Sequence, residues 1–417
     1  MNTKKVCATT ETITCWEDID FIKAEKVLKK LQRRIAVAYR NQRHDVVVTL
    51  QHQLIHSFSA KALAVQRVSS NRGKSTPGVD GVIWNTSELK FEAIHSLKRR
   101  GYQPKPLKRV FIPKGNGKLR PLSIPTMKDR AMQTLYKFAL EPIAEESGDQ
   151  SSYAYRQNRC ARDAIAECCN ILSKRPDFEW ALKIDIKSCF DSISHEWMME
   201  HILMDKVILR KFIKTPYVRD LILYPTLSGV PQGGPLSSVL CNMTLDGLES
   251  LLYDTFGADV HMIRYADDMI IFVRHSTFPI PDVTAFIRDF LAKRELELSE
   301  TKTQTTHIQD GFAFLGWKIH KANQQIIATP TKTNIITLLT KIKTELSNEL
   351  SVNPIKQTEK VLSIIRGWFG YYVGLADQYK LYGVEFEVMS LLDSLEDNRV
   401  VEPIKKLLDK TFQIYER

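Results

Sequence analysis

The sequence of 417 residues lacks any apolar run of the roughly 18 residues that a helix needs to cross a bilayer. Residues 1–15 lack the apolar core of a secretory signal peptide. The seven cysteines are an odd number, and none forms a Cys-x-x-Cys pair of the kind that holds zinc. We therefore expect reduced thiols, no membrane partner and a cytoplasmic location.

The basic charge is concentrated at one end of the sequence. Residues 1–120 contain 24 Lys and Arg against 9 Asp and Glu, whereas the remaining 297 residues contain 35 against 39. A one-sided positive field favours a polyanionic partner, most often nucleic acid. A well-solvated helical surface would give the same count.

The sequence alternates helical and extended patterns. Residues 16–68 predict helices, because apolar residues recur at helical spacing from Leu28 to Ala38 between basic side chains. Turn-forming residues at 69–78 end this region. Residues 107–125 predict two strands joined at a Gly-Asn-Gly turn, residues 115–117.

Helical patterns return later in the chain. One predicted helix runs from Lys128 to about Ala144, and others cover residues 335–346 and 361–372. Short apolar strands lie between them, at residues 180–186 and 262–273. Mixed strands and helices in this order predict an α+β architecture.

Two adjacent carboxylates, Asp267 and Asp268, lie at the polar tip between two apolar half-strands. Holding both charges there is costly unless something neutralises them. Mg²⁺ does this well, since it prefers carboxylate oxygens. An Asp-Asp pair at a turn also occurs for structural reasons alone, because Asp suits turns.

A third acid, Asp185, ends another short apolar strand. If this strand pairs with the one after Asp267, three carboxylates converge. Such a trio can hold two Mg²⁺ ions, with Mn²⁺ as an alternative, about 3.5–4 Å apart. Two ions held in this way stabilise an in-line phosphoryl displacement, which is the chemistry of nucleotide addition.

Eight short motifs then follow one another along the chain. They are Thr-Pro-Gly-Val-Asp-Gly (76–81), Ile-Pro-Lys (112–114) with Arg-Pro-Leu-Ser-Ile-Pro (120–125), Asp-Ile-Lys-Ser-Cys-Phe-Asp (185–191), Pro-Gln-Gly-Gly-Pro-Leu-Ser (231–237), Tyr-Ala-Asp-Asp (265–268), Leu-Ser-Glu-Thr-Lys-Thr (298–303), Phe-Leu-Gly-Trp (314–317) and Gly-Trp-Phe-Gly-Tyr-Tyr (367–372). In this order, the chain resembles the bacterial reverse transcriptases of the group II intron type from about Trp16 to Tyr372.

The resemblance implies a right-hand polymerase with fingers, a palm built on an antiparallel sheet, and a helical thumb. The implied segments are a basic helical N-terminal extension that binds RNA (1–75), fingers with part of the palm (76–180), the palm with the catalytic carboxylates (181–325), a helical maturase-like thumb (326–380) and an acidic helical tail (381–417).

The resemblance also implies roles for single residues around the metal ions. Asp185, Asp267 and Asp268 would hold the ions together with the carbonyl of Ile186, and Asp191 would be structural. The implied dNTP contacts are Lys114 and Arg120 at the triphosphate, Phe190 as a gate against a ribose 2′-hydroxyl, Gln232 at the nascent base pair and Lys302 as a proton donor near the leaving pyrophosphate. The two glycines after Gln232, Gly233 and Gly234, would let the backbone approach the nucleic acid closely. Some of these roles have a structural alternative. Lys114 and Arg120 could belong to a solvated basic hairpin, Phe190 could be a core residue, and Lys302 could be an ordinary surface lysine.

Two further groups of residues match the family's nucleic-acid contacts. The primer grip would be formed by Phe314, Leu315, Gly316 and Trp317, whose aromatic rings could instead be core. The candidate RNA contacts of the basic extension are Lys29, Lys30, Arg33, Arg34, Arg67, Arg72 and Lys74.

The chain departs from the family in two places. Residues 152–160 differ from the usual Gly-Phe-Arg-Pro-Gly-Arg pattern, and an acidic helical stretch follows Tyr372 where many relatives carry a DNA-binding region and a nuclease. We therefore expect no target-site cleavage. Both departures favour a domesticated, defence-associated enzyme that copies a structured non-coding RNA into cDNA from dNTPs.

Three other hypotheses remain open from the sequence. The first is an intron-encoded maturase without the nuclease, whose template is an intron RNA. The second is an RNA-binding splicing chaperone with incidental polymerase activity, which retention of all three carboxylates argues against. The third is an RNA-dependent RNA polymerase, which Phe190 argues against, because its ring would exclude ribonucleotides.

Overall fold

The structure is a computed structural model, and it describes residues 13–113, 117, 119–274, 279–347, 354–394 and 401–408. None of the helices in these ranges is both long enough and apolar enough to cross a membrane. The described ranges combine helices with strands that pair mostly antiparallel, so the predicted α+β class is confirmed.

The helices of the described ranges occur in every third of the chain. They are α1 (Phe21–Arg40), α2 (His44–His56), α3 (Phe58–Ser70), α4 (Ser87–Ser96), α5 (Met127–Ser147), α6 (Ala161–Lys174), α7 (Cys189–Ser192), α8 (His195–His201), α9 (Lys206–Ile213), α10 (Ser237–Leu245), α11 (Leu248–Phe256), α12 (Ile280–Ala292), α13 (Lys332–Leu346), α14 (Pro354–Tyr372) and α15 (Gln378–Asp393). Residues 401–408 are also helical.

The strands form three sheets, with orders β2-β1-β4-β5, β6-β7-β3-β8 and β11-β10-β9. The strands are β1 (Leu107–Pro113), β2 (Leu119–Ile124), β3 (Trp180–Asp185), β4 (Tyr217–Arg219), β5 (Ile222–Tyr224), β6 (Val260–Tyr265), β7 (Asp268–Val273), β8 (Gln304–His307), β9 (Phe312–Phe314), β10 (Trp317–Ala322) and β11 (Gln325–Pro330).

The chain folds into two compact units whose segments alternate along the sequence. Unit 1 comprises Met1–Gln150, Ile186–Leu248 and Phe286–Leu298, and unit 2 comprises Ser151–Asp185, Glu249–Ala285 and Ser299–Arg417. Residues of the predicted palm segment, 181–325, therefore occur in both units. The five segments taken from the sequence stay a prediction of functional regions.

The helices predicted over residues 16–68 are confirmed as α1, α2 and α3 of unit 1. Asp20 caps the N-terminus of α1, because its carboxylate accepts a hydrogen bond of 2.8 Å from the backbone N–H of Lys23. It buries Leu28, Ile35 and Ala38 against α3 and α5, as its apolar spacing predicts. Its basic side chains lie on the opposite, exposed face.

The hairpin predicted over residues 107–125 is confirmed as β1 and β2 of unit 1. Of the three residues of its predicted turn, 115–117, only Gly117 is described. β4 joins the other side of β1 in parallel, and β5 is the edge strand. The predicted helix from Lys128 is α5, which ends three residues later than expected, at Ser147.

The central sheet of unit 2 consists of β6, β7, β3 and β8. Residues Met269 to Val273 of β7 are all buried, and a strand buried on both faces has a continuous apolar sequence. The sheet shares one apolar core with the sheet of β9, β10 and β11 and with the helices after it.

The predicted thumb helices are confirmed as α13 and α14. Trp368 and Tyr372 of α14 pack against this core, so packing is the structural role of these rings. The described part of the acidic tail does not stand apart from the thumb. α15 begins at Gln378 and buries Val384 and Val388 in the same core.

Candidate active site

The two acidic motifs meet where the inner strands β3 and β7 of the central sheet of unit 2 end and begin. β3 and β7 are antiparallel neighbours, and their register places Asp185 directly opposite Asp268. On the other side of β7, Tyr265 of β6 lies opposite Asp268. The predicted pairing of the two strands is therefore confirmed, and it gathers the three carboxylates at one end of the sheet.

A two-residue loop, Ala266 and Asp267, joins β6 to β7. Ala266 has φ 58°, a left-handed conformation that costs an L-residue roughly 1–2 kcal/mol. Tight hairpin loops require positive φ to match the twist of their strands. The strained loop thus fixes Asp267 between two strands whose register is already set.

Negative charges repel one another at this end of the sheet. Burial raises the pKa of Asp268 above its ordinary value, and the charges of Asp267 and Asp185 raise it further. The positive charges of Lys183 and Lys302 oppose this shift without cancelling it. Crowded carboxylates of this kind favour any cation that can lie between them.

Lys302 is the cation in contact with this site. Its ammonium donates hydrogen bonds of 3.1 and 2.9 Å to the two carboxylate oxygens of Asp185. Its turn is tied to the same residue, because the N–H of Ser299 donates to the carbonyl of Asp185 at 2.8 Å. The hydrogen bond to Asp185 raises the pKa of Lys302 above its ordinary value. The sequence did not predict this ion pair.

The carboxylates of Asp185, Asp267 and Asp268 would offer only oxygen ligands, the kind that a hard divalent cation prefers. The ammonium on Asp185 shows that this carboxylate accepts a cation. Within the described ranges, no group of three or more His, Cys, Asp or Glu side chains is arranged to hold a metal ion. The predicted convergence is thus confirmed for the strands and incomplete for the side chains.

Two other predicted site residues, Ile186 and Phe190, lie in unit 1. Ile186 has a buried side chain and forms a β-bridge with Leu298. Phe190 is half-buried in the short helix α7. Its carbonyl accepts a hydrogen bond of 2.6 Å from the N–H of Val230, which holds α7 against the chain just before the Pro-Gln-Gly-Gly motif.

Gly229 allows this close approach, and the sequence analysis missed it. Its φ is +77°, and a Cβ there would lie 2.5 Å from the carbonyl oxygen of Phe190 and 2.6 Å from the Cα of Asp191. Both are backbone atoms, so the segment carrying Phe190 would have to move. An isolated glycine two residues before Pro231 was the only signal in the sequence.

We expect Gly229→Ala to lower the free energy of unfolding by about 1–3 kcal/mol more than Gly101→Ala does. Gly101 is the matched control, because its φ is +73° and a Cβ there would meet no atom within 4 Å beyond its chain neighbours. Both substitutions share the left-handed backbone cost, so their difference measures the steric contact. Urea unfolding of the two variants measures this difference. Equal losses of unfolding free energy in both variants would contradict the steric contact at Gly229.

The Pro-Gln-Gly-Gly motif is fastened to the protein itself. The N–H of Ser123 in β2 donates to the carbonyl of Gln232 at 2.7 Å. A Cβ on Gly233 would lie 2.8 Å from the Ser123 carbonyl oxygen, and one on Gly234 would lie 2.5 Å from Oε1 of Gln133. The two glycines were expected to admit nucleic acid, but the space they leave is used by β2 and α5.

The side chain of Gln232 has a partner in the same unit. Its Nε2 donates to the carboxylate of Asp191 at 3.2 Å. Asp191 therefore orients Gln232, which agrees with its expected structural role. The contact of Gln232 with a nascent base pair stays a prediction.

Comparison with known proteins decides the family. The model for the reverse transcriptase (RNA-dependent DNA polymerase) family matches residues 112–319, and the model for the N-terminal domain of reverse transcriptase matches residues 16–97. The chain belongs to the reverse transcriptase family. The first match contains the paired carboxylate strands, and the second contains the four N-terminal helices α1 to α4.

The relatives of this reverse transcriptase include a group II intron-encoded protein and a maturase-like protein. It is 28% identical over 339 residues to Protein YkfC of Escherichia coli (strain K12), which covers 70% of this chain and 88% of that protein. It is 28% identical over 345 residues to the group II intron-encoded protein LtrA of Lactococcus lactis subsp. cremoris, covering 66% of this chain and 57% of LtrA. Maturase-like protein 1 of Euglena gracilis is 26% identical over 427 residues, covering 97% and 88%.

Of the two predicted triphosphate contacts of this reverse transcriptase, Arg120 lies on the β1–β2 hairpin of unit 1. Lys114 is outside the described residues. Arg120 is exposed on β2 and lies opposite Ile112 of β1. An exposed guanidinium on a paired strand suits bidentate phosphate contacts.

The predicted primer grip forms the turn between β9 and β10 of unit 2. Phe314 and Trp317 are buried, so their rings belong to the core, the structural alternative left open by the sequence. Leu315 and Gly316 form the tip with φ of 49° and 85°. Two tyrosines of α14 donate hydrogen bonds of 2.9 Å to the carbonyls of these tip residues. The turn is thereby tied to the thumb helix.

The predicted RNA contacts of the reverse transcriptase are all at least partly exposed. Four of them share one face of α1: Lys29, Lys30, Arg33 and Arg34. Arg67 of α3 stacks over the ring of Phe138 at 4.6 Å, so its guanidinium also has a structural contact. Arg72 and Lys74 lie in the loop after α3.

A buried arginine missed by the sequence analysis anchors that basic loop. Arg130 of α5 donates hydrogen bonds of 2.9 Å to the carbonyls of Pro125 and Gly73, and one of 2.5 Å to the carbonyl of Thr76. It thus connects the loop to the end of the fingers hairpin. An arginine among the buried residues of a helix was its only sequence signal.

The atypical block at residues 152–160 packs beside the catalytic strands of unit 2. Ser152 forms a parallel bridge with Arg264 of β6. Arg156 and Arg159 donate to the carbonyl of Ser152 at 3.3 and 2.9 Å. These arginines therefore contribute to the support of β6, and a shift in template preference stays a prediction.

Proposed function

We propose that this reverse transcriptase extends a primer with deoxynucleotides on an RNA template by two-metal phosphoryl transfer. Asp185, Asp267 and Asp268 would hold two Mg²⁺ ions, or Mn²⁺, with the carbonyl of Ile186. When bound, the ions lower the pKa of a 3′-hydroxyl and neutralise charge on the triphosphate. The observation that carries the proposal is the register that pairs Asp185 with Asp268.

The other site residues are proposed to orient the incoming nucleotide. Lys114 and Arg120 bind its triphosphate, and Arg120 suits bidentate contact with phosphate oxygens. Phe190 excludes a ribose 2′-hydroxyl, and Gln232, oriented by Asp191, contacts the new base pair. Lys302 donates a proton to the departing pyrophosphate, an acid–base role that needs an ammonium close to the carboxylates.

Primer extension on an RNA template tests this function. We expect the purified protein to add dNTPs in the presence of Mg²⁺, and to stop when EDTA removes the metal. A splicing chaperone would instead bind RNA without extending a primer. Absence of extension under both Mg²⁺ and Mn²⁺ would reject the polymerase proposal in favour of that chaperone.

The template partner is proposed to be one structured non-coding RNA, copied into cDNA in the cytoplasm as part of antiphage defence. The departure at residues 152–160 supports a dedicated template. The nearly end-to-end match to the Euglena maturase-like protein favours the second candidate, intron splicing and mobility. Sequencing the RNA and cDNA that co-purify with the protein separates the two, because the second candidate requires an intron RNA.

The basic face of α1 is proposed to bind the template RNA. Changing its four basic residues to Gln should flatten the slope of log affinity against log salt by about three, because each phosphate contact contributes roughly 0.7–0.9. In the control variant, each of these Lys residues is changed to Arg and each Arg to Lys. Because the charge is unchanged, the slope of log affinity against log salt should also be unchanged. Filter binding at several salt concentrations measures both, and an unchanged slope in the Gln variant would contradict the interface.

A further inference from the structure

We propose that Lys302 is a built-in substitute for a metal ion. Its ammonium neutralises Asp185 in the metal-free protein, leaves that carboxylate when a divalent cation binds, and is then free to reach the phosphates of the substrate. The inference rests on the proposed metal-binding role of the three carboxylates and adds a competitor for one of them.

The contact itself is the first support. The ammonium lies 3.1 and 2.9 Å from the two carboxylate oxygens of Asp185, so both oxygens are engaged. Asp185 exposes 20% of its side chain, which limits access by a further ligand. A divalent cation bound through the same oxygens lies at about 2.0–2.6 Å. The ammonium and the cation therefore compete for Asp185.

The backbone around Lys302 lets it leave without unfolding its turn. Ser299 is fastened to the carbonyl of Asp185 at 2.8 Å, and the N–H groups of Lys302 and Thr303 donate back to the Ser299 carbonyl at 3.0 and 2.8 Å. None of these bonds involves the Lys302 side chain. That side chain is 65% exposed, and among the described residues its ion pair is the contact that holds it over Asp185.

A second lysine provides an internal contrast. Lys183 lies on β3, and its charge acts on Asp268 together with that of Lys302. Within the described part of the chain, Lys183 forms no ion pair, whereas Lys302 contacts Asp185 directly. Removing either lysine removes one positive charge near the carboxylates. Of the two, only the Lys302 variant loses an ion pair with Asp185. Comparison of the two variants therefore separates competition for Asp185 from the long-range repulsion between a lysine and the incoming metal ion.

Mn²⁺ binding to the full chain, without nucleotide or nucleic acid, tests the inference. Electron paramagnetic resonance measures the unbound ion. We expect Lys302→Met to tighten Mn²⁺ binding about two- to fivefold beyond the effect of Lys183→Met, the range given by loss of one exposed ion pair. Lys302→Arg keeps a cation on Asp185 and should bind Mn²⁺ no more tightly than the unmodified protein.

A second measurement follows the lysine directly. Acetylation by an N-hydroxysuccinimide ester, quantified residue by residue by mass spectrometry, should label Lys302 more rapidly after Mn²⁺ is added. Lys360 is the control, because it is similarly exposed at 62% and pairs with Glu345 at 2.6 Å, away from the catalytic carboxylates. Its labelling should not respond to Mn²⁺.

The outcomes distinguish this inference from the proposed function. If Asp185→Asn binds Mn²⁺ as tightly as the unmodified protein, the metal site itself is wrong. If Asp185→Asn loses binding while Lys302→Met and Lys183→Met bind alike, the metal site stands and the competition is rejected. Labelling of Lys302 that does not change with Mn²⁺ would likewise reject the release of its ammonium.

Discussion

Replacing both Asp267 and Asp268 with alanine is expected to lower the rate of primer extension by at least about 10³-fold. The two residues supply two of the three carboxylates at the end of β3 and the start of β7. Without them, the charge that would bind the metal ions is lost. Single-turnover extension of a primer on an RNA template, at saturating Mg²⁺ and dNTP, measures the effect.

The loss should come from chemistry and not from unfolding. Removal of buried, mutually repelling charges relieves a cost in the protein, since burial and then the neighbouring carboxylates raise the pKa of Asp268. We therefore expect the double variant to keep its circular dichroism spectrum and its thermal midpoint. Asp254→Ala, an exposed substitution on α11 in the same unit, is the control and should extend primers normally. Normal extension by the double variant would refute the two-metal account.

Changing Phe190 to Val is expected to raise the use of ATP relative to dATP by roughly 10- to 200-fold, the range that one steric contact in a pocket gives. The ring would otherwise collide with the ribose 2′-hydroxyl, and a clash of this kind rejects the wrong substrate. The measurement is the ratio of kcat/KM for the two nucleotides on one template. Phe190→Tyr keeps the ring and should keep the selection.

The position of Phe190 makes this prediction specific. Its backbone is held by Val230, and Gly229 brings the two segments together. The side chain is half-buried, so a smaller side chain changes the shape of the surface without emptying a core site. Equal use of ATP and dATP by the unmodified protein would favour the RNA polymerase hypothesis. It would also reject the proposed role of Phe190 in excluding ribonucleotides.

The sequence predicted the elements that depend on local pattern. The strands around Asp185 and Asp268 were recognisable because each is a short apolar run that ends or begins at an acid. Their pairing was a hypothesis drawn from these acids, and the register confirms it. The amphipathic helix α1 followed from its apolar spacing in the same way.

The contacts that the sequence did not predict join residues far apart in the chain. The ion pair between Lys302 and Asp185 spans 117 positions, and no local pattern specifies it. The glycines of the Pro-Gln-Gly-Gly motif indicated that a close neighbour needs space. The motif alone did not indicate whether nucleic acid or the protein itself, here β2 and α5, occupies that space. The buried rings of Phe314 and Trp317 show the same limit, since an aromatic residue suits core and ligand equally.

The most direct measurement is a structure of the protein with an RNA template, a primer ending in a dideoxynucleotide, a matching dNTP and Mg²⁺. The account predicts two ions about 3.5–4 Å apart, ligated by Asp185, Asp267 and Asp268, with the ammonium of Lys302 removed from Asp185. Ions bound elsewhere, or a triphosphate held without contact to these carboxylates, would contradict it.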